Sequence, residues 1–282
     1  MENVLLLQQA LLSEEQFQTI STVVHRLCGI NLHPGKKELV KARLTKRLRK
    51  LGLCDFDDYI EYVRSDRSGD ELTNMLDALC TTLTHFFREQ QHFDHLVDNV
   101  LPELAARIDE NGGQLRFWSA GCASGEEAYS MAITVAEHLP KAALWDVGIL
   151  ATDLSSHAIG LAQRGVYQAK CLKTVPPHLR AKYFDVVKSD DGQGYRVKDS
   201  LRGMMHFSRL NLMDSWPMRG EFDVIFCRNV MIYFDKATQA ELVQRFWRLL
   251  RPGGTLFTGH SESLTGIRHN FRYVRPTIYQ RP

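Results

Sequence analysis

Leu115-Arg116-Phe117-Trp118-Ser119-Ala120-Gly121-Cys122-Ala123-Ser124-Gly125-Glu126-Glu127 is the stretch whose reading decides the fold. Its apolar start predicts a buried strand over Leu115 to Ser119. The small residues from Gly121 to Gly125 predict a tight loop, and Glu126 to His138 a helix. Strand, small-residue turn and helix form the opening unit of a doubly wound α/β sheet. The chain beyond repeats the alternation. Val147 to Ala151 predicts a strand ending at Thr152-Asp153, and Ser155 to Gln163 a helix. Phe222 to Cys227 predicts another strand, and Lys236 to Leu250 a helix stopped by Arg251-Pro252-Gly253-Gly254. Thr255 to Thr258 is a further strand and Tyr273 to Tyr279 a last one. Such alternation implies a mostly parallel sheet. Between these units, Gly165 to Phe207 is irregular, with Pro176-Pro177 and a turn at Ser189-Asp190-Asp191-Gly192-Gln193-Gly194. It is expected to be an insertion with a small hairpin on the ligand side of the sheet.

The amino-terminal part carries helical patterns instead. Ser13 with Gln16 predicts a capping box; Phe17, Ile20, Val24 and Leu27 follow at helical spacing, and Gly29 is a stop. From Lys36 to Lys50 eight basic residues face one acid, Glu38. Val40, Leu44, Leu48 and Leu51 form one apolar face there, and Arg43, Arg47 and Lys50 fall on another, which predicts an amphipathic helix with a basic outer surface. Asp55 to Val63 and Asp70 to Leu79 predict two more helices. The expected division is a helical domain over 1–80, a linker over 81–95 that contributes to the ligand site, and an α/β domain over 96–282 with an insertion at about 165–207.

Composition narrows the function classes. The 282 residues are 44% hydrophobic and 24% charged, as in ordinary globular proteins, and a net charge of +2 argues against a whole-molecule polyanion binder. Six scattered cysteines without a C-x-x-C pair suit reduced thiols better than a disulfide framework. The apolar run Val4 to Leu7 has no basic flank before it, so no signal peptide and a cytoplasmic location are expected. His85 has no partner at metal-ligand spacing, and no metal site is expected.

Ligand chemistry concentrates after the strands, where an open α/β sheet presents side chains to a ligand. In the loop before Glu126, Ala123 departs from a dinucleotide glycine pattern. Two carboxylates at a helix start would repel a pyrophosphate and suit an ammonium, although the macrodipole alone also favours acids there. S-adenosylmethionine carries such an ammonium together with a sulfonium. Asp153, at the end of its strand, suits both ribose hydroxyls of a nucleoside or the cap of the next helix. Arg228-Asn229 breaks a buried strand at the same kind of place. Thr81-Thr82-Leu83-Thr84-His85-Phe86-Phe87-Arg88-Glu89 offers two aromatics, hydroxyls and an arginine, either closing over a nucleoside or forming a buried linker helix.

Together with Ser208-Arg209-Leu210-Asn211-Leu212, Phe226-Cys227-Arg228-Asn229-Val230-Met231-Ile232-Tyr233-Phe234 and Gly259-His260-Ser261-Glu262-Ser263, these segments resemble the CheR family of chemotaxis receptor methyltransferases over nearly the whole chain. The resemblance implies a Rossmann-like class I methyltransferase domain and S-adenosyl-L-methionine as cofactor, with S-adenosyl-L-homocysteine as product. It implies that Thr82, Thr84, Arg88 and Glu127 contact the methionine part, that Asp153 holds the ribose, and that Asn211, Leu212, Arg228 and Asn229 line the adenine and sulfonium end. Arg88 and Tyr233 would border the acceptor carboxylate as catalytic residues. Thr82 departs from the Asn that many members carry. The implied reaction esterifies glutamate side chains of chemoreceptors, with Arg43, Arg47 and Lys50 docking an acidic cytoplasmic helical bundle. In a subset of the family the inserted sheet takes a receptor C-terminal tail peptide. A monomer, with no nucleic acid partner and no membrane insertion, is the implied assembly.

Overall fold

The computed structural model describes residues 11–79, 83–111, 113–139, 141, 144–189 and 192–282. The amino-terminal part contains α1 (Glu14–Cys28), α2 (Lys37–Leu51), α3 (Phe56–Ser65) and α4 (Asp70–Leu79). The Ser13–Gln16 capping box opens α1, and Gly29 closes it at φ 73°. The buried face of α1 is Phe17, Ile20, Val24 and Cys28; half-buried Leu27, expected in that row, is displaced by Cys28 one helical turn after Val24. Val40, Leu44 and Leu48 of α2 complete this core.

The basic face of α2 is not the single outer surface expected. The Arg47 guanidinium turns inward and pairs with both carboxylate oxygens of Glu71, which also accepts the Tyr59 hydroxyl at 2.9 Å. Glu71 is 4% exposed, and a carboxylate buried there requires a cation beside it. Arg43 donates to the carbonyl of Leu79 at 2.5 Å. Lys46, Arg49 and Lys50 remain on the exposed side.

A short helix α5 (Gln90–His95), a π turn (Leu96–Val100) and α6 (Leu101–Asn111) lead into the α/β part. Its large sheet is built from β1 (Gln114–Ala120), β2 (Asp146–Asp153), β6 (Met205–Arg209), β7 (Phe222–Cys227), β8 (Leu250–Thr258), β9 (Arg272–Arg275) and β10 (Ile278–Gln280), in the order β6-β2-β1-β7-β8-β10-β9. The first five strands are parallel, and β10 and β9 close the sheet antiparallel. Neighbouring residues feed opposite layers: Phe117 and Val224 pack in one cluster, Trp118 and Ile225 in another. All six residues of β7 are buried, as a strand covered on both faces requires. Helices α7 (Glu126–His138), α8 (Ser156–Arg164) and α11 (Lys236–Leu249) connect the parallel strands.

The sheet departs from the expected elements in two places. Tyr273 to Tyr279 is a hairpin of β9 and β10 rather than one strand, turning at Pro276-Thr277, where Thr277 sits at φ 63°. Strand β8 begins at Leu250 and runs through Pro252-Gly253-Gly254; an irregularity in its pairing with β7 absorbs the extra residues. The inserted segment forms a second, three-stranded antiparallel sheet, ordered β3 (Val166–Gln168), β5 (Gly192–Val197), β4 (Phe184–Ser189), with α9 (Pro177–Tyr183) and α10 (Asp199–Arg202) beside it. Met205 to Phe207, at the end of the irregular segment, belong to β6 of the large sheet.

The strand order positions the site. From β1 the chain winds outward through β2 to β6, then returns to β7 on the other side of β1. The loops leaving β1 and β7 therefore diverge, and a crevice opens at their carboxyl ends.

Candidate active site

That crevice is a cavity of about 310 Å³, walled on one side by the loops after β1, β2, β6 and β7 and on the other by the helical domain. The loop after β1 is fixed through its backbone. The N–H groups of Gly121 and Cys122 both donate to the carbonyl of Thr152, at 2.8 and 2.9 Å. Gly121 has φ 94°, and a Cβ there would lie 2.3 Å from Val230, so the start of the loop after β1 passes Val230 only as glycine. Ala123 takes φ 48° and donates its N–H to Asp153 Oδ2 at 2.9 Å; Asp153 Oδ1 accepts the N–H of Ser155 at 2.9 Å. A carboxylate accepts about four hydrogen bonds, so Asp153 keeps capacity for a ligand. Burial raises its pKa, with the backbone donors opposing the shift.

Glu126 and Glu127, similar in sequence, part company here. Glu126 turns to the Ser124 hydroxyl (2.7 Å). Glu127 lines the cavity, accepts the Ser119 hydroxyl at 2.7 Å and lies 3.6 Å from Arg228 Nε. Burial raises the Glu127 pKa above its ordinary 4.5, and Arg228 pulls against that rise. The Arg228 guanidinium is fully buried, lies over the rings of Phe93 and Phe226, donates to the carbonyl of Arg88, and stands 3.3 Å from Glu89 Oε2. Its Nε and Nη1 have no hydrogen-bond partner among the described residues. In this setting Arg228 frames Glu127 as well as lining the cavity.

The loop after β7 is pinned from β8. Glu262 accepts the N–H of Asn229 at 2.7 Å and of Ile232 at 3.1 Å, and also that of Gly259. Asn229 adopts φ 59° in consequence. A Cβ on Gly259 would come within 2.8 Å of the Asn229 backbone nitrogen, which ties glycine to that position. The linker is held by its aromatics. Phe86 is fully buried, edge-on to Tyr167 and Phe184, and the N–H of Phe87, at φ 54°, donates to Ser130 Oγ at 2.9 Å. Phe86 and Phe87 are thus anchors rather than walls over a nucleoside, and residues 83–89 are not a helix. Their anchoring carries Thr84 and Arg88 into the cavity.

Thr84, Arg88, Glu127, Asp153, Asn211, Leu212, Arg228, Asn229 and Tyr233 all line this one cavity, and Arg43 joins them. Thr82 lies outside the described residues. Arg47 and Lys50 do not contribute to the lining. Asn211 lines the cavity with its amide hydrogens engaged, donating to the carbonyl of Leu27 (2.6 Å) and to Asp214 (3.1 Å). It therefore ties the helical domain to the sheet, as do the Asn31 N–H on the Tyr233 carbonyl (2.7 Å) and His25 on Asp235 (3.1 Å). Sequence reasoning assigned no role to Ser119, Glu89 or Glu262. It also gave none to Lys36, whose Nζ stands 5.2 Å from the Tyr233 ring centre. Cys28, Ile30, Leu32 and Val40 supply an apolar wall that the helical periodicity alone did not distinguish from core.

Two half-buried carboxylates at a strand-order reversal, beside the apolar Leu210, Leu212 and Val230, suit a ligand with an ammonium, a ribose diol and a flat base. The fold and site together are those of a nucleoside-dependent transferase, and S-adenosylmethionine has these three groups. Residues 82–280 match the family described as "CheR methyltransferase, SAM binding domain", and residues 15–80 match "CheR methyltransferase, all-alpha domain". The chain belongs to the CheR methyltransferase family, with S-adenosylmethionine as its cofactor. A probable chemotaxis protein methyltransferase of Rhizobium etli is 42% identical, covering 92% of this chain and 96% of that protein. Chemotaxis protein methyltransferase 2 of Pseudomonas aeruginosa is 40% identical over 95% of this chain and 93% of its own length. The chemotaxis protein methyltransferase of Borreliella burgdorferi is 36% identical over 96% and 95%. No helix among the described residues is long and apolar enough to cross a membrane.

Proposed function

We propose that this chain transfers the methyl group of S-adenosylmethionine to glutamate side-chain carboxylates in the cytoplasmic helical bundle of chemoreceptors, forming the methyl esters of chemotactic adaptation. The observation that carries this reading is the distribution of charge around the cavity. Its two half-buried carboxylates, Glu127 and Asp153, suit the cofactor, while Lys36, Arg43 and Arg88, also half-buried, and the Tyr233 hydroxyl suit an anionic acceptor. No histidine lines the cavity among the described residues. A glutamate acceptor is already an anion at neutral pH, so it needs cations and a hydrogen-bond donor rather than a general base.

When bound, the cofactor supplies an electrophilic methyl on a sulfonium. Glu127 receives the ammonium and Asp153 the ribose hydroxyls. Arg88 orients the acceptor carboxylate, and the Tyr233 hydroxyl aims one of its oxygens by donating to it. The apolar wall of the helical domain excludes water, which strengthens these charge interactions.

Lys46, Arg49 and Lys50 on the exposed side of α2 are the cations that would dock an acidic helical bundle, and Arg43 sits between that surface and the cavity. In the inserted sheet β4 is an edge strand, and Val186 on it is 63% exposed. That edge suits a receptor tail added as a further strand. The chemotaxis names of the relatives support the acceptor class.

The test is incubation with methyl-labelled S-adenosylmethionine and receptor-containing membranes, followed by mild alkali. Release of labelled methanol is expected, since a carboxylate ester is base-labile. Alkali-stable label marks a different acceptor atom, and cofactor binding without label in the receptor marks a sensing module; either result overturns the proposal.

A further inference from the structure

Glu89 and His92, three residues apart at the start of helix α5, converge with His260 from the loop after β8. None of them lines the cavity, although Glu89 Oε1 accepts from Asn229 Nδ2 (3.4 Å) and from the His260 N–H (3.3 Å). One candidate ligand atom from each lies within 4.8 Å of the others. Glu89 Oε2 stands 3.4 Å from His92 Nδ1 and 3.8 Å from His260 Nε2.

The hydrogen-bond directions make this cluster unusual. The Thr277 hydroxyl donates to the carbonyl of Pro276 at 2.6 Å, so its oxygen accepts from His92 Nε2 at 2.8 Å. A proton held on Nε2 leaves Nδ1 with a lone pair. Glu89 Oε2 can likewise only accept. The His92 side chain is 2% exposed and that of Glu89 9%, and neither of the facing atoms has a hydrogen-bond partner among the described residues. Two buried acceptors in that position repel; Arg228, 3.3 Å from Glu89 Oε2, offsets this on the carboxylate and leaves His92 Nδ1 without a donor among the described residues. Tetrahedral zinc, with bonds of about 2.0–2.1 Å, sets its ligand atoms roughly 3.4 Å apart.

We infer that Glu89, His92 and His260 form a binding site for a divalent transition-metal ion of the zinc class, held by one carboxylate oxygen and two imidazole nitrogens. Two imidazoles and a carboxylate suit such an ion, whereas magnesium and calcium favour all-oxygen sets. The Thr277 contact is the outer hydrogen bond that orients a metal-binding histidine. Arg228 approaches Glu89 Oε2 without a hydrogen bond to it and shares its charge with Glu127, so the oxygen retains a lone pair for a second cation. The ion would clamp the loop after β8 to the linker residue next to Arg88, bracing the cavity wall from behind.

The full chain, without an affinity tag and stripped by chelator, is titrated with zinc and separately with cobalt(II). One saturable equivalent is expected, together with the intense visible bands of tetrahedral cobalt and a zinc-dependent rise in melting temperature. His260→Ala, at a side chain 48% exposed, should abolish all three without disturbing the core. Thr277→Val should weaken zinc roughly 10–100-fold. Absence of saturable uptake by the unaltered chain overturns the site, as does uptake unchanged in His260→Ala.

Discussion

Half-buried Glu127 and Asp153 and buried Glu262, in the half of the site built from the sheet, are carboxylates that already have partners; Cys28, Ile30, Leu32 and Val40, in the half contributed by the helical domain, are apolar. The sheet half spends its hydrogen bonds on holding acceptors still, so a ligand meets groups that need not reorganise. The helical half supplies dryness, and its cations Lys36 and Arg43 are only partly buried. On the function proposed above, one half would recognise the cofactor and the other would admit and steer a charged acceptor. Substitutions on the two sides should therefore fail in different ways.

The largest effect is expected at the centre of the sheet half. Arg228→Ala leaves Glu89 and Glu127 without their buried cation, which should cost roughly 3–5 kcal/mol of stability in chemical denaturation and abolish cofactor binding. A loss below about 1 kcal/mol, the scale of an exposed pair, would show that this network does not frame the site. Next is Arg88→Ala, where loss of the orienting cation should slow single-turnover methyl transfer by about 100-fold. Tyr233→Phe should slow it about tenfold, the value of one hydrogen bond, with cofactor affinity unchanged. Near-normal chemical rates in both would remove these residues from catalysis.

Glu127→Gln keeps the shape of the sheet half and removes one charge. Cofactor affinity should fall by about 10-fold, as for a lost charged hydrogen bond. The pH dependence carries a sign. Burial holds the folded-state pKa of Glu127 above the ordinary 4.5, and an arriving ammonium favours the ionised form. Affinity measured by calorimetry should rise with pH through that raised pKa and then level; Glu127→Gln should remove this rise. Without cofactor the linkage runs the other way: the folded protein keeps the proton that the unfolded chain releases near 4.5, so this group's contribution to stability falls as pH climbs from there through the folded pKa.

Lys50 and Arg47, two basic residues of α2, should fail differently. Lys50→Glu should raise KM for an acidic receptor severalfold, more at low salt, and leave stability and cofactor affinity alone. Arg47→Ala should instead lower stability, by about 3 kcal/mol, because it strands the buried Glu71. Equal KM effects without destabilisation would restore Arg47 to the docking surface.

The same contrast explains what could be read from the chain alone. The turn at Gly121 to Gly125, the Asp153 strand end and the Arg228-Asn229 break were legible because small residues and strand patterns specify backbone, and backbone places them at one crevice. Arg47 was not legible: periodicity puts it on the polar side of α2, while its partner Glu71 lies in α4 and is buried only by tertiary packing. Glu262 acts through backbone amides of the loop after β7 and Ser119 through a carboxylate of α7, contacts that leave no local pattern. The β9–β10 turn was hidden because Pro276-Thr277 needs a positive φ at a β-branched residue, which sequence rules disfavour. Family resemblance grouped the lining residues. Which of them hold the fold as well as line the cavity, as Asn211 and Arg228 do, came from their hydrogen bonds.

A crystal structure of the chain with S-adenosylhomocysteine tests the division between the two halves most directly. The amino group is expected against Glu127, the ribose hydroxyls on Asp153, and the sulfur facing the side of the cavity that carries Arg88 and Tyr233. Product bound outside this cavity, or inside it with the ribose away from Asp153 and the amino group away from Glu127, would contradict the account.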